Sequence, residues 1–223
     1  MNIRHFDIEI DDLRSHLLDM AKLVQEMIKA ASQELVERDI EQVGVVSRLE
    51  KKVNIQEMVI DHKCLGLIAL NQPVGADLRF ITSAMKISSD LERMGDEAVS
   101  ISRMALDLIK YPELKPLIDI PKMVENVQNM IMNCIIAFNA SDTWLASSVL
   151  AEDDEVDFLR DRVINDIKEV LLKSSDMDTV QRAIDLMFIA KSIERIGDHA
   201  TNISEDIIFM VRGEDVRHPR ACE

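Results

Sequence analysis

One segment of this chain occurs twice, and any fold must place both copies. Asp90-Leu91-Glu92-Arg93-Met94-Gly95-Asp96 returns about 100 residues later as Ser192-Ile193-Glu194-Arg195-Ile196-Gly197-Asp198. The likeness continues through Ala98, Ile101 and Ser102 in the first copy and Ala200, Ile203 and Ser204 in the second. A repeat spaced this way within 223 residues indicates a duplicated unit, so the chain reads as two halves doing one kind of job.

The hydrophobic spacing says what each half is made of. From Ile3 the apolar positions Ile3, Phe6, Ile10, Leu13, Leu17, Met20, Val24, Met27 and Ala31 fall alternately three and four apart, the heptad of a long amphipathic helix in a bundle. Asp39 is placed to N-cap a second helix reaching about Leu70, with Val46, Val53, Ile60 and Leu67 on its buried side. Asn71-Gln72-Pro73-Val74-Gly75 then turns the chain. A third helix follows from about Ala76 to Lys110, ~50 Å long, with Asp77 in its first turn complementing the helix dipole.

Pro112, Pro116 and Pro121 mark Tyr111 to Pro121 as a connection, after which the pattern repeats. Helix four spans about Lys122 to Asn139 with Val124, Val127, Ile131, Cys134 and Phe138 inward, and helix five about Thr143 to Leu172. Ser174-Ser175-Asp176-Met177-Asp178 is the next turn, and helix six spans about Thr179 to Val211. The expectation is an all-α chain: one antiparallel three-helix bundle over 1–110, a connection over 111–121, a second bundle over 122–211 and an irregular tail over 212–223. With 47% apolar residues but only 4% aromatic, and with 13 Met, the composition suits helix packing rather than sheets.

A formal charge of -15 disfavours nucleic acid and anionic membrane faces and favours cations and basic protein surfaces. Cys64, Cys134 and Cys222 form no C-x-x-C pair, which argues against a disulfide framework and a thiolate zinc site. The N-terminal stretch turns acidic at once, unlike a signal peptide, and no stretch approaches the roughly 20 apolar residues of a membrane span. The expected location is the cytoplasm.

Glu92 with Asp96, and Glu194 with Asp198, sit four apart and therefore on one helix face. Spacing alone is weak, because 41 acidic residues give about seven such pairs by chance. Three features single these pairs out. Each falls at the same point of the duplicated unit. Each brackets a glycine, Gly95 or Gly197, which costs about 1 kcal/mol inside a helix and implies a close approach there. Each also has a partner on the preceding helix: antiparallel packing would bring Glu50 and Asn54, the start of an oxygen-bearing stripe that continues with Glu57 and Asp61, to Glu92 and Asp96, and Asp153 and Asp157 to Glu194 and Asp198.

Facing carboxylates repel, and a bound cation would reverse the sign; oxygen-only ligand sets suit magnesium, calcium or manganese and accommodate iron. The alternative is that Arg93 and Arg195 neutralise the acids as surface ion pairs. No histidine has a glutamate three residues before it, so the Glu-x-x-His pattern of di-iron bundles is absent. His199 has three open roles: ligand, phosphate acceptor, or polar cap to the acidic cluster. No Gly-rich phosphate loop, nucleophile elbow or H-E-x-x-H is present.

Ala69-Leu70-Asn71-Gln72-Pro73-Val74-Gly75-Ala76-Asp77-Leu78-Arg79, the two repeated segments, and Val211-Arg212-Gly213-Glu214-Asp215-Val216-Arg217-His218 together resemble the PhoU family of bacterial phosphate-uptake and phosphate-signalling regulators. The resemblance covers essentially the whole chain. It implies two tandem three-helix bundles related by pseudo-symmetry, and metal ions, iron, zinc or other divalent ions, held through E(D)-x-x-x-D motifs. Carried over by position, the ligands are Glu50, Glu92 and Asp96 in the first half and Asp153, Asp157, Glu194 and Asp198 in the second. Asn54 stands where a carboxylate would complete the first motif. The first site is therefore expected to bind metal more weakly or with a different nuclearity, and the second to be the better one.

The implied function is negative regulation of the phosphate-starvation response by an adaptor that is not an enzyme. It would link the phosphate ABC transporter, through its ATPase subunit, to a membrane sensor histidine kinase. It would reach the membrane only through those partners and act as a homodimer. The alternatives are a carboxylate-bridged metalloenzyme or metal store, and phosphotransfer through His199.

Overall fold

The heptad positions of the first helix are the ones that go inside. Leu13, Leu17, Met20, Val24, Met27 and Ala31 are at most 2% exposed, while Phe6 and Ile10 pack at the edge of the core. A computed structural model describes residues 5–174 and 176–217, which form six α-helices and no strand. The helices are α1 (His5–Val36), α2 (Gln42–Asn71), α3 (Ala76–Ile109), α4 (Asp119–Ala140), α5 (Thr143–Lys173) and α6 (Met177–Arg212). Ile3, Ser175, His218 and Cys222 lie outside the described residues.

Three boundaries differ from the sequence expectation, each for a local reason. Asp39 does not cap α2. The chain first makes a turn in which the Asp39 carboxylate accepts from the Glu41 N–H at 3.0 Å and the Gln42 side-chain amide at 2.9 Å, and the N-cap position falls to Glu41. Helix α4 begins at Asp119 and takes in Pro121, because the first-turn N–H groups of a helix have no internal acceptor and a proline forfeits nothing there. Helix α6 begins at Met177, since the Asp176 carboxylate accepts from the Thr179 N–H at 3.0 Å and caps the helix earlier.

Side-chain pairs give the packing directions. His16 with Gln56 and Lys63 with Asp12 set α1 and α2 antiparallel, and Asp119 with Arg162 and Asn133 with Glu152 do the same for α4 and α5. The most extensive helix pair, α3 against α6, joins the two halves and is also antiparallel. It is crossed by Lys86–Asp206 at 3.0 Å, Asp90–His199 at 2.8 Å and Glu97–Arg195 at 2.7 Å. A second seam lies between α1 and α4, where the Arg14 guanidinium donates to the Phe138 carbonyl at 3.0 Å and covers the Phe80 and Phe138 rings. One apolar core runs through both halves, so the tandem bundles are fused along their long helices.

The duplication can be read in the core. Met27 lies against Gly95 as Val127 lies against Gly197, which puts Glu34 of α1 where α4 has Cys134. Cys134 sits 3.3 Å from the Ser204 hydroxyl and 3.4 Å from the Ala200 carbonyl, a buried thiol with partners. Glu34 is fully buried, and neither carboxyl oxygen makes a well-formed hydrogen bond, although the nearby Ser102 hydroxyl offsets part of the desolvation.

Burial therefore pushes the Glu34 carboxyl above its ordinary value of 4.5. The folded chain keeps this proton at pH values where the unfolded chain has lost it, so stability falls as pH climbs from about 4.5 through the raised value. Glu34→Gln should flatten that decline and raise the thermal midpoint at neutral pH by ~2–4 °C, the equivalent of about 1 kcal/mol. Unfolding scans of both proteins from acid to neutral pH test this, and an unchanged slope would show that Glu34 is ionised and satisfied in the fold.

Candidate functional site

Each repeated segment lies in the middle of a long helix, with one face turned to the other half and the flanking face turned to the helix before it. In the first half, Glu92 and Asp96 of α3 meet Glu57 of α2. Burial raises the Glu57 carboxyl, and the charges of Asp61 and Asp96 raise it further; Arg93 opposes them. Burial likewise raises Glu92, helped by the charges of Asp96 and Glu57 and a hydrogen bond to Asp96. Among the described residues no hydrogen bond or ion pair ties Glu50 or Asn54 to this group. The carboxylate that completes the first set across the helix pair is thus Glu57, a member of the expected stripe but not one of the expected ligands.

The second half brings all four of its expected residues together. Burial and the charges of Asp198, Asp157 and Glu194, then Asp154, push Asp153 up to about 6. Asp198 is raised by burial and by Asp157, and Glu194 by burial and Asp198. Asp153 Oδ1 is shielded from solvent and accepts no hydrogen bond.

This set also contains a residue that the motif did not reveal. The Arg160 guanidinium spans the helix pair, with Nη1 2.9 Å from Asp157 and 2.5 Å from Glu194, and Nη2 2.9 Å from Asp161. Val53 of α2 lies where a Cβ on Gly95 would meet it, as Val156 of α5 does for Gly197, and in that register Arg160 stands where the first half has Glu57. A cation one turn beyond Asp157 on an otherwise acidic face was the available sequence signal.

The arginines of the repeat do other work. Arg195 pairs with Glu97 at 2.7 Å across α3 and α6, and Arg93 only moderates Glu57 and Glu92. His199 is buried with Nδ1 2.8 Å from Asp90, an acceptor that Asn202 shares at 3.3 Å, so its ring serves the junction between the halves.

The two glycines are unequal. A Cβ on Gly197 would stand 3.0 Å from Asp153 Oδ1, a close approach as the motif implies. A Cβ on Gly95 would meet only Met27 and Val53 at 3.6 Å, an ordinary contact, so close packing does not require that glycine.

Chemically both sets are oxygen donors suited to a hard cation. As the side chains stand, no three His, Cys, Asp or Glu among the described residues converge tightly enough to ligate one ion. The orphaned Asp153 oxygen fits a cation partner, whereas Arg160 already takes one oxygen each of Asp157 and Glu194.

Gly95→Ala should stabilise the protein by about 0.5–1 kcal/mol through helix propensity, and Gly197→Ala by measurably less because Asp153 must yield. Denaturant unfolding of the two variants in chelator decides this. Equal gains would mean that Gly197 does not seat Asp153.

With the geometry in hand, comparison with known proteins places the chain. The model of the PhoU domain matches it twice, over residues 17–105 and 120–207. It is 35% identical over 216 residues to a phosphate-specific transport system accessory protein PhoU homolog of Pseudomonas putida, covering 96% of this chain and 84% of that one. The homolog of Aquifex aeolicus is 39% identical over 215 residues, with 96% of each chain covered. The crystal structure of PhoU from Pseudomonas aeruginosa superposes with a TM-score of 0.89 at 34% identity, over 94% of this chain and 100% of that one. The phosphate transport system regulatory protein PhoU from Streptococcus pneumoniae gives 0.87 at 26% identity, over 96% and 100%. The chain belongs to the PhoU family.

Proposed function

We propose that this protein is a regulatory accessory of phosphate transport: a metal-binding adaptor between the phosphate ABC transporter's ATPase subunit and a membrane sensor histidine kinase, repressing the phosphate-starvation response when phosphate is plentiful. The observation that carries the reading is that both halves match the PhoU domain and that relatives covering nearly the whole chain are named accessory proteins of phosphate-specific transport. A non-enzymatic role is supported by the relatives, which are named accessory and regulatory proteins of phosphate transport. No helix among the described residues is long and apolar enough to cross a membrane, which agrees with action through membrane partners.

An adaptor needs exposed contact area. Bonds from Arg79 to the Met210 carbonyl and from Arg212 to Thr143 gather the starts of α3 and α5 and the end of α6 at one end of the molecule. There Leu70, Val74 and Trp144 are each about four-fifths exposed, apolar surface of the kind that marks partner contacts. The acidic remainder suits basic partner faces, and the adaptor is proposed to work as a homodimer.

The metal part of the proposal assigns Glu50, Asn54, Glu57, Glu92 and Asp96 to the first site and Asp153, Asp157, Glu194 and Asp198 to the second. A bound cation would supply positive charge between helices that otherwise repel. The chain's own contribution is to hold the carboxylates on the rigid middles of α3 and α6, so that occupancy bears on how α2 and α5 pack.

Deletion of the gene should leave phosphate-starvation genes active in phosphate-rich medium, and a wild-type copy should restore repression. A reporter driven by a starvation promoter reads this out. Repression that survives the deletion would defeat the proposed role.

A further inference from the structure

The two carboxylate sets have the same backbone setting and opposite answers to their own repulsion. In the second half, Arg160 lies between Asp157 at 2.9 Å and Glu194 at 2.5 Å, with its side chain only 21% exposed. In the first half the equivalent place on α2 is Glu57, whose charge adds to Glu92 and Asp96. A guanidinium bonded to Asp157 Oδ1 and Glu194 Oε1 puts a full positive charge against the carboxylates that a metal ion would need, and the two cations repel. We propose that Arg160 is a built-in counter-ion that closes the second carboxylate set, so that metal enters the first set freely and the second only when Arg160 is displaced.

Several features fit this division. Arg160 makes charge-assisted bonds to one acid on its own helix, Asp157, and one across the helix pair, Glu194, so it ties α5 to α6 as a bridging metal would. It also donates from Nε and Nη2 to Asp161, at 3.1 and 2.9 Å, which fixes the orientation of the guanidinium. Its reach stops short of Asp153, whose Oδ1 remains buried and without a hydrogen bond. Arginine stays charged at any working pH, so the closure persists where a histidine or a protonated acid would open.

In the first half, Arg93 is on the same helix as Glu92 and Asp96, is exposed, and moderates Glu57 and Glu92 without forming an ion pair with any of the three among the described residues. That set keeps its repulsion until a cation arrives from solution. The expected order is the reverse of the one that ligand count alone suggests.

This inference rests on the metal reading above, and one experiment separates the two. Chelator-treated, desalted protein is titrated with manganese(II) chloride while the free ion is followed by electron paramagnetic resonance, and thermal midpoints are recorded in chelator and in manganese. The chains compared are wild type, Glu92→Ala, Glu194→Ala, Arg160→Gln, Arg160→Gln with Glu194→Ala, and Glu57→Arg, each first checked for helical content by circular dichroism.

Wild-type binding should disappear in Glu92→Ala and persist in Glu194→Ala. Arg160→Gln should add a second class of sites that requires Glu194 and is about tenfold or more tighter than any residual binding there in wild type. The same variant should lose thermal stability in chelator and regain it in manganese. Glu57→Arg should abolish the first class. If Arg160→Gln leaves stoichiometry and affinity as in wild type, or if Glu194→Ala rather than Glu92→Ala removes wild-type binding, the closure is wrong while metal binding stands. If neither wild type nor Arg160→Gln takes up manganese, the metal reading falls and the closure with it.

Discussion

Everything in this molecule leans on α3 and α6. Their antiparallel contact joins the halves, its apolar residues belong to the single core, and three charged or polar pairs run along it from Lys86–Asp206 to Glu97–Arg195. Because one face of each helix is committed to the other half, the repeated Glu and Asp can only be presented toward the helix before it. The sites are therefore a consequence of the junction: the backbone that carries Glu92 and Asp96, or Glu194 and Asp198, is fixed by packing on its opposite side. Burial on such a support raises the pKa values of these carboxylates, and the repulsion that they cannot drift apart to relieve raises them further.

Duplication gave two copies of this problem, and the copies solve it differently. The second contains its own cation in Arg160, bonded to both helices of the pair. The first has Glu57 in the matching place, where Arg93 of α3 moderates the charge without forming an ion pair among the described residues. The same divergence appears deeper in the core, where Glu34 without a hydrogen bond stands opposite the pattern of Cys134 with Ser204. Pseudo-symmetry of the backbone thus coexists with asymmetry of charge.

Much of the fold was legible because helix periodicity is a short-range signal. Leu13 through Ala31, Val46 through Leu67 and Val124 through Phe138 are buried as their spacing implies. Boundaries were less legible, since Asp39, Pro121 and Asp176 each have two local uses and the turn geometry chooses between them. At the site, Glu92, Asp96, Glu194 and Asp198 stood out through repetition, and Asp153 and Asp157 through their place opposite. Arg160 and Glu57 did not, because their importance depends on which side chains meet across α5–α6 and α2–α3, a long-range fact that motif matching in one helix does not contain. The two glycines show the same limit: identical in sequence, only Gly197 is pressed by a neighbouring carboxylate.

Repulsion between facing carboxylates, answered in the second half by Arg160, is the physical centre of this picture, and a double-mutant cycle measures that answer directly. Unfolding free energies in chelator for wild type, Arg160→Gln, Glu194→Gln and the double variant give the coupling between the two side chains without any metal. A favourable coupling of about 1–3 kcal/mol is expected for a partly buried, charge-assisted pair across two helices. A coupling indistinguishable from zero would contradict it, and Arg160 would then be one more solvated surface charge.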